Sequence, residues 1–513
     1  MGISNFQQYI RRTYHKAWQS EWNKSYDNVY IDLNNVLHHV CYLAKDTKDL
    51  TIRFLDYLNG IIKKIPPKKR LILVADGPAP LAKLLLQRKR RLEMLKFAEN
   101  DILQSDTEYL NLNLSPGTAF MGNLEKSMDG FIKYVKSKHN VEIIISVVES
   151  GEGEIKIKKY LQKIQSNNPN DTHIVYSGDS DMILILFTSN NLDNIYQALN
   201  KDNIISYGIL YNQHIELFGS TLSTKQDFVF LNMFMGNDYI PKVAYLKLEN
   251  LWDAYKLLSP FFPNGLVSYN CYDVKIDPIF LHDLLYVSTK KIQKRFMNMF
   301  KISDLKKSCY DNYVKGLYWT YTMYTSGECA DYKYLYDADD SPHVTGVMLS
   351  LIAQSEFKVN KSNPIDIDLY GILLIPEKAK SLLTKEQILI AEKLTKDYPV
   401  IYEEGRCKHC YTYSKDLSIM NKEYKSSKDD EHKNELSQKI GSMAKSYSKH
   451  KDTHSKLTID LIDKISNKFI ECRDDIRETM SIESLESKNS NDVRIDKYTP
   501  NMRLNKPISK KLF

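Results

Sequence analysis

Six carboxylates of this 513-residue chain stand at the ends of short apolar runs, a pattern produced when several strands finish at one edge of a sheet. Asp32 falls in "NVYIDL" (28–33) and Asp76 closes "RLILVAD" (70–76). Glu152 and Glu154 follow "VEIIISVV" (141–148) in "ESGEGEIKIKKYL", and Asp179 and Asp181 follow "THIVYSG" (172–178) in "YSGDSDMI". A seventh acid, Asp238, lies in "FMGNDYIP". Taken singly, each reads as a solvated loop residue or a helix cap. Together they imply cations, because two unit charges about 4 Å apart repel by roughly 4 kcal/mol at an effective dielectric near 20. All-oxygen ligation favours a hard ion, Mg²⁺ or Mn²⁺, over zinc. Two such ions suit in-line phosphodiester hydrolysis with no His or Lys general base.

The spacing of Glu152 and Glu154 carries its own condition. Residues two apart on a helix point about 200° away from each other, so the pair shares a site only if one lies in the turn before the helix. Gly151 and Gly153 permit that turn.

A basic element stands beside the acids. Residues 63–96 carry eleven Lys or Arg against two acids. Within "DGPAPLAKLLLQRKRRL", Lys83, Gln87, Arg90 and Arg91 fall at i, i+4, i+7 and i+8, on one helical face. Such a face grips a terminal phosphate or is simply solvated, and spacing alone leaves both readings open. A basic groove beside an acidic pocket suits a polyanion that is held by its phosphates and cut by metals.

These residues need a scaffold that brings strand ends together. The first 250 residues alternate short apolar runs with helical patterns, which predicts an α/β fold: a mostly parallel central sheet flanked by helices. Residues 251–413 read as a mainly helical, tyrosine-rich second region, with extended character returning near "DLYGILLIP". Residues 414–456 are nearly all polar and read as a linker. In 457–513, Leu457, Leu461, Ile465, Phe469 and Cys472 fall at helical spacing and predict one docked amphipathic helix, followed by a basic tail. A content of 42% hydrophobic and 26% charged residues supports a sizeable core, and the net charge of +7 is modest for this length. No apolar run approaches the roughly 20 residues a bilayer needs, so no membrane association is expected, and "MGISNF" lacks a signal-peptide core. Seven mostly scattered cysteines fit reduced thiols in the cytoplasm or nucleus. The lone CxxC of "CKHC", Cys407 to Cys410, is not counted as a metal site, since zinc wants four protein ligands and no second pair is visible.

In combination the motifs resemble the Xrn family of 5′→3′ exoribonucleases. "MGISNFQQYIRRTY", "YIDLNNVLH", "VADGPAPLAKLLLQRKRR", "SPGTAFM", "GEGEIKI", "GDSDMI" and "DFVFLNMFMGNDYIP" are similar to that family's motifs and occur in the same order, over residues 1 to about 245. "YVKGLYWTYTMYTSG" and "LLIPEKAKSLL" extend a weaker match to about 385. The resemblance implies a PIN/flap-nuclease-like core whose second region completes the active-site wall. It implies metal ligation by Asp32, Asp76, Glu152, Glu154, Asp179, Asp181 and Asp238, 5′-monophosphate binding by Lys83, Gln87, Arg90 and Arg91, and stacking of His38 on the first base. His38 would otherwise read as a partly buried histidine. The implied activity is processive, two-metal hydrolysis of 5′-monophosphorylated single-stranded RNA in mRNA decay, by a monomer, with decapping factors as candidate partners. The alternatives are a DNA flap nuclease and a non-catalytic RNA-binding scaffold. Three features depart from the pattern: Asn34-Asn35 replaces Asn-Gly, the tryptophan behind the first nucleotide has no match, leaving Tyr332 or Tyr334 as replacements, and the very long C-terminal extension of the family's large members has no counterpart in this sequence.

Overall fold

The apolar runs become strands because alternate residues enter two separate cores. Tyr30, Ile72, Val74 and Val175 pack on one face of the sheet, and Val29, Ile31, Leu71, Leu73, Ile174 and Tyr176 on the other. The computed structural model describes residues 6–19, 25–98, 110–200, 203–270, 273–296, 307–336, 341–353, 356–357, 360–427, 429–451, 453–479, 495 and 498–500. Its main sheet comprises β1 (Trp18–Gln19), β2 (Tyr26–Asp32), β3 (Pro67–Val74), β4 (Glu142–Ser146), β5 (His173–Tyr176), β6 (Ile195–Asn200) and β7 (Asn203–Ser206), in the order β1-β7-β6-β5-β2-β3-β4. β6 to β4 run parallel, whereas β7 and β1 are antiparallel additions. The expected mostly parallel sheet is therefore a mixed one, in a chain that is mainly helical.

The helices bearing on the site are α1 (Leu33–Cys41), α2 (Leu81–Ala98), α3 (Gly153–Asn167), α4 (Asp181–Phe187), α5 (Lys307–Ser326), α6 (Ile367–Leu374), α7 (Lys385–Asp397), α8 (Lys408–Ser426), α9 (Asp430–Lys451) and α10 (Ile459–Thr479). A third core joins Leu81 and Leu84 of α2 to Tyr370 and Leu373 of α6, Ile390 and Leu394 of α7, and Ile462, Ile465 and Phe469 of α10. Among the described residues, no helix is long and apolar enough to cross a membrane.

Three expectations are corrected. "DLYGILLIP" is not extended: Asp366 caps α6 by accepting from the Asp368 amide at 2.9 Å, and a short continuous apolar run fits a buried helix as well as a strand. Residues 267–270, 273–276 and 356–357 add a small antiparallel sheet to the second region. In place of a linker over 414–456 stand α8 and α9, a polar hairpin; α9 carries Asp430 and Glu431 in its first turn and Lys449, His450 and Lys451 in its last, as its dipole prefers. Most of the basic tail lies outside the described residues. Tyr498 is described: its ring meets Phe131 and Tyr134 edge-on at 5.3 and 5.4 Å, and its hydroxyl donates to Asp56 at 2.6 Å.

Candidate active site

β5, β2, β3 and β4 are adjacent and parallel, so their C-terminal ends meet at one edge. Asp32 ends β2 and caps α1, accepting from the Asn35 amide at 3.2 Å and the Ser177 hydroxyl at 3.2 Å. Asp76 lies just past β3, its amide donating to the Asn34 side chain at 2.8 Å. Two backbone hydrogen bonds, Gly77 N to Gly151 O and Gly151 N to Pro78 O, both 2.9 Å, join the loops after β3 and β4. The Lys156 ammonium reinforces the junction from below by donating to the Ala75 carbonyl at 2.9 Å.

Glu152 is the N-cap of α3, with extended φ/ψ, and Glu154 sits in the first turn, so one of the pair does precede the helix. Gly151 has φ of +104°, a conformation glycine adopts without strain. Gly153 brings its amide to 2.8 Å from Asp76 Oδ1; a Cβ there would lie 3.4 Å from Asp76 Oδ1 and 3.5 Å from Asp32 Oδ1, filling the space between the carboxylates. On the other side, Gln197 donates to the carbonyls of Ser177 and Asp179 at 2.9 and 3.3 Å and accepts from Tyr207 at 2.6 Å, which fixes the loop after β5.

Asp32, Asp76, Glu154 and Asp179 line one cleft of about 380 Å³. Facing them are Lys83, Gln87, Arg90 and Arg91 of α2, with His38 on α1. The basic face is turned inward, not solvated. Burial, then repulsion from Asp76, pushes the Asp32 carboxyl up to about 7. Burial, then Asp179 and Asp76, holds Glu154 well above the usual carboxylate range. Oxygen donors whose charges burial and mutual repulsion oppose are a fit for a hard cation.

The other three acids stand behind this wall. Lys83 Nζ lies 2.6 Å from both Glu152 Oε2 and Asp238 Oδ2, and Arg90 reaches Asp238 Oδ1 at 3.3 Å. Tyr239 donates to Glu152, and Tyr324 of α5 donates to Asp181 at 3.1 Å. Burial opposes the charge of Asp238, yet Lys83 and Arg90 hold its carboxyl below the usual range. Lys83 therefore bridges two acids instead of offering its whole charge to a phosphate. Gln87 accepts from Tyr370 of α6 at 3.2 Å, and Arg91 donates to Ser115 at 2.9 Å.

Residues 1–195 match the family model described as XRN 5'-3' exonuclease N-terminus. Residues 1–195 therefore carry a domain similar to the Xrn N-terminal domain. The chain is similar to 5'-3' exoribonuclease 1 of Schizosaccharomyces pombe (28% identity over 318 residues, 51% of this chain and 24% of the relative). It is also similar to 5'-3' exoribonuclease 1 of Homo sapiens (26% over 317 residues; 50% and 18%) and 5'-3' exoribonuclease 2 of Candida albicans (24% over 300 residues; 44% and 31%). The chain thus spans a third or less of the length of these relatives. Among solved structures, the catalytic core of Rad2 with DNA substrate aligns at a TM-score of 0.34 and 12% identity, covering 66% of this chain and 91% of that one, too weak a likeness to bear on function.

In and beyond this Xrn-like domain, spacing along the sequence left several residues unread. Tyr42, one helical turn past His38, also lines the cleft and is 70% exposed, and the i, i+4 relation to His38 was the available signal. Of the tryptophan replacements, Tyr334 is buried and stacked on Trp319 at 4.6 Å, and Tyr332 is not among the cleft-lining residues. Cys407 and Cys410 do acquire partners: His450 and His454 converge on them, forming a cluster that could hold a metal ion and that shares no residue with the acidic cleft. The signal was the H-x₃-H spacing far downstream.

Proposed function

We propose that this chain is a 5′→3′ exoribonuclease that hydrolyses 5′-monophosphorylated RNA processively, as in mRNA decay, with two Mg²⁺ or Mn²⁺ ions. The observation that carries this reading is the single cleft with carboxylates on one wall and Gln87, Arg90 and Arg91 on the other. Asp32, Asp76, Glu154 and Asp179 would hold the ions, with Glu152, Asp181 and Asp238 completing the acidic set behind them. When bound, such ions supply an activated water and stabilise the leaving oxygen. Arg91 and Arg90 would receive the terminal phosphate through charge-assisted hydrogen bonds, and Lys83 keeps Glu152 and Asp238 in place. His38 of α1 and Tyr42, the residue that follows that helix, offer stacking surfaces for the first bases.

Digestion of one RNA prepared with monophosphate, hydroxyl and capped 5′ ends tests the reading; the monophosphate form should be consumed and the capped form spared. Arg91→Ala should reduce the monophosphate-over-hydroxyl preference by about ten- to a hundredfold, the worth of a hydrogen bond to a charged group. An unchanged ratio with both substrates weakened equally means that α2 attracts RNA without reading its end. Faster digestion of a matched DNA strand would assign the cleft to DNA instead. Tyr42→Ala should weaken RNA binding about tenfold with no change in melting temperature, because base stacking is worth about 1–3 kcal/mol and this ring is mostly exposed. Unaltered affinity would remove Tyr42 from the interface.

A further inference from the structure

The hairpin of α8 and α9 lacks the usual reason for two helices to stay together. Across α8 and α9 the buried residues are Cys410, Ser414 and Leu436, so there is almost no apolar core between them. Helices of this composition are marginal unless tertiary contacts hold them. What the hairpin does have, at its open end, is a convergence of four ligand-bearing side chains. Cys407 and Cys410 come from the start of α8, His450 from the end of α9, and His454 from the turn after it.

We propose that Cys407, Cys410, His450 and His454 bind one structural Zn²⁺ that clamps the hairpin. Each offers one ligand atom, and all four atoms lie within 4.8 Å of one another. Cys407 Sγ is 3.2 Å from His450 Nε2, and Cys410 Sγ is 3.3 Å from His454 Nε2. In a tetrahedron with Zn–S of about 2.3 Å and Zn–N of about 2.05 Å, the S to N edge is about 3.6 Å, so the four atoms need only small adjustments to enclose an ion. Two independent thiol–imidazole hydrogen bonds would explain each pair but not the meeting of both pairs at one point.

Two further features belong to zinc sites. The Nδ1 edge of His454 lies 3.6 Å from a carboxylate oxygen of Glu403, the arrangement that orients a ligating imidazole and leaves Nε2 for the metal. The Cys410 amide approaches Cys407 Sγ at 3.5 Å, a donor that favours the thiolate. Two sulfurs and two imidazole nitrogens select zinc over the hard ions expected at the acidic cleft. Four protein ligands leave no position for water or substrate, so the ion would be structural, and its binding energy would become folding energy for a segment unable to fold by apolar burial. α8 also packs against α2, so the clamp would brace the helix that carries Arg90 and Arg91.

The test uses the full chain, purified without added metal and analysed for bound elements by mass spectrometry. One zinc per chain is expected. Cys407→Ser should lose it, and His432→Ala, on the same hairpin but paired with Glu423, should retain it. Limited proteolysis should then cut between residues 411 and 455 in Cys407→Ser and in chelated parent protein, but not in the zinc-loaded parent. If Cys407→Ser does not fold, cobalt substitution of the parent protein decides: a tetrahedral Co²⁺ spectrum with sulfur charge-transfer bands supports the site. A chain without zinc whose Cys407 and Cys410 alkylate at the rate of free thiols, or a cobalt adduct lacking sulfur bands, overturns it.

Discussion

Glu154→Gln and Asp179→Asn should each lower turnover of 5′-monophosphate RNA by about a thousandfold while leaving RNA affinity within a few-fold of the parent. Both side chains line the cleft, and neither belongs to the basic wall. Several kcal/mol of charge stabilisation rests on the ions these carboxylates would hold, and each 1.36 kcal/mol is a factor of about ten. The same variants make a second, opposite prediction. In EDTA burial first, and then repulsion from Asp179 and Asp76, opposes the charge on Glu154 and holds its carboxyl well above the usual range. Removing one charge should therefore raise the melting temperature of the metal-free protein and shrink the gain that added Mg²⁺ produces. Equal loss of binding and turnover, or a variant that melts lower in EDTA, would count against a metal role for these two acids.

Lys83→Met should cost about 3–5 kcal/mol of stability, the usual consequence of removing one partner from a buried charge cluster. Lys83 is 6% exposed and lies between Glu152 and Asp238. Burial opposes its charge, but the two carboxylates hold its ammonium well above the ordinary lysine value. A raised lysine contributes its full stabilisation below the unfolded value near 10.5 and loses it only as pH climbs through the folded value, so the whole effect is present at neutral pH. In the variant the stranded carboxylates can be relieved by protons, so the deficit should narrow between pH 7.5 and pH 5. Thermal melts of parent and variant at the two values check this. Had Lys83 served only as a phosphate donor, the melts would coincide and only monophosphate RNA affinity would fall.

The strand ends were legible because both faces of the central strands are buried, so the apolar runs stand out and the acids terminate them. The turn at Glu152 was legible because helical geometry forbids residues two apart from sharing a side. The role of Lys83 was not, because its partner Asp238 is 155 residues away and arrives by a route that no local spacing encodes. β1 and β7 were missed because strands of two and four residues leave too little pattern to read. Polarity of 414–456 correctly indicated that little apolar surface is buried there, but it could not reveal that thiols and imidazoles 40 residues apart in sequence, Cys410 and His450, would meet.

The Tyr498 hydroxyl that reaches Asp56 joins positions 442 residues apart, and the same ring sits in the core beneath α1 and the central sheet. That face of the molecule therefore cannot be sealed during translation until residue 498 has left the ribosome. A nascent chain halted near residue 490 would display the Phe131 and Tyr134 rings to solvent or to a chaperone. Fragments cut after the nuclease motifs, at about residue 250, would carry the same open patch and should aggregate more readily than the whole chain, even with every cleft residue present.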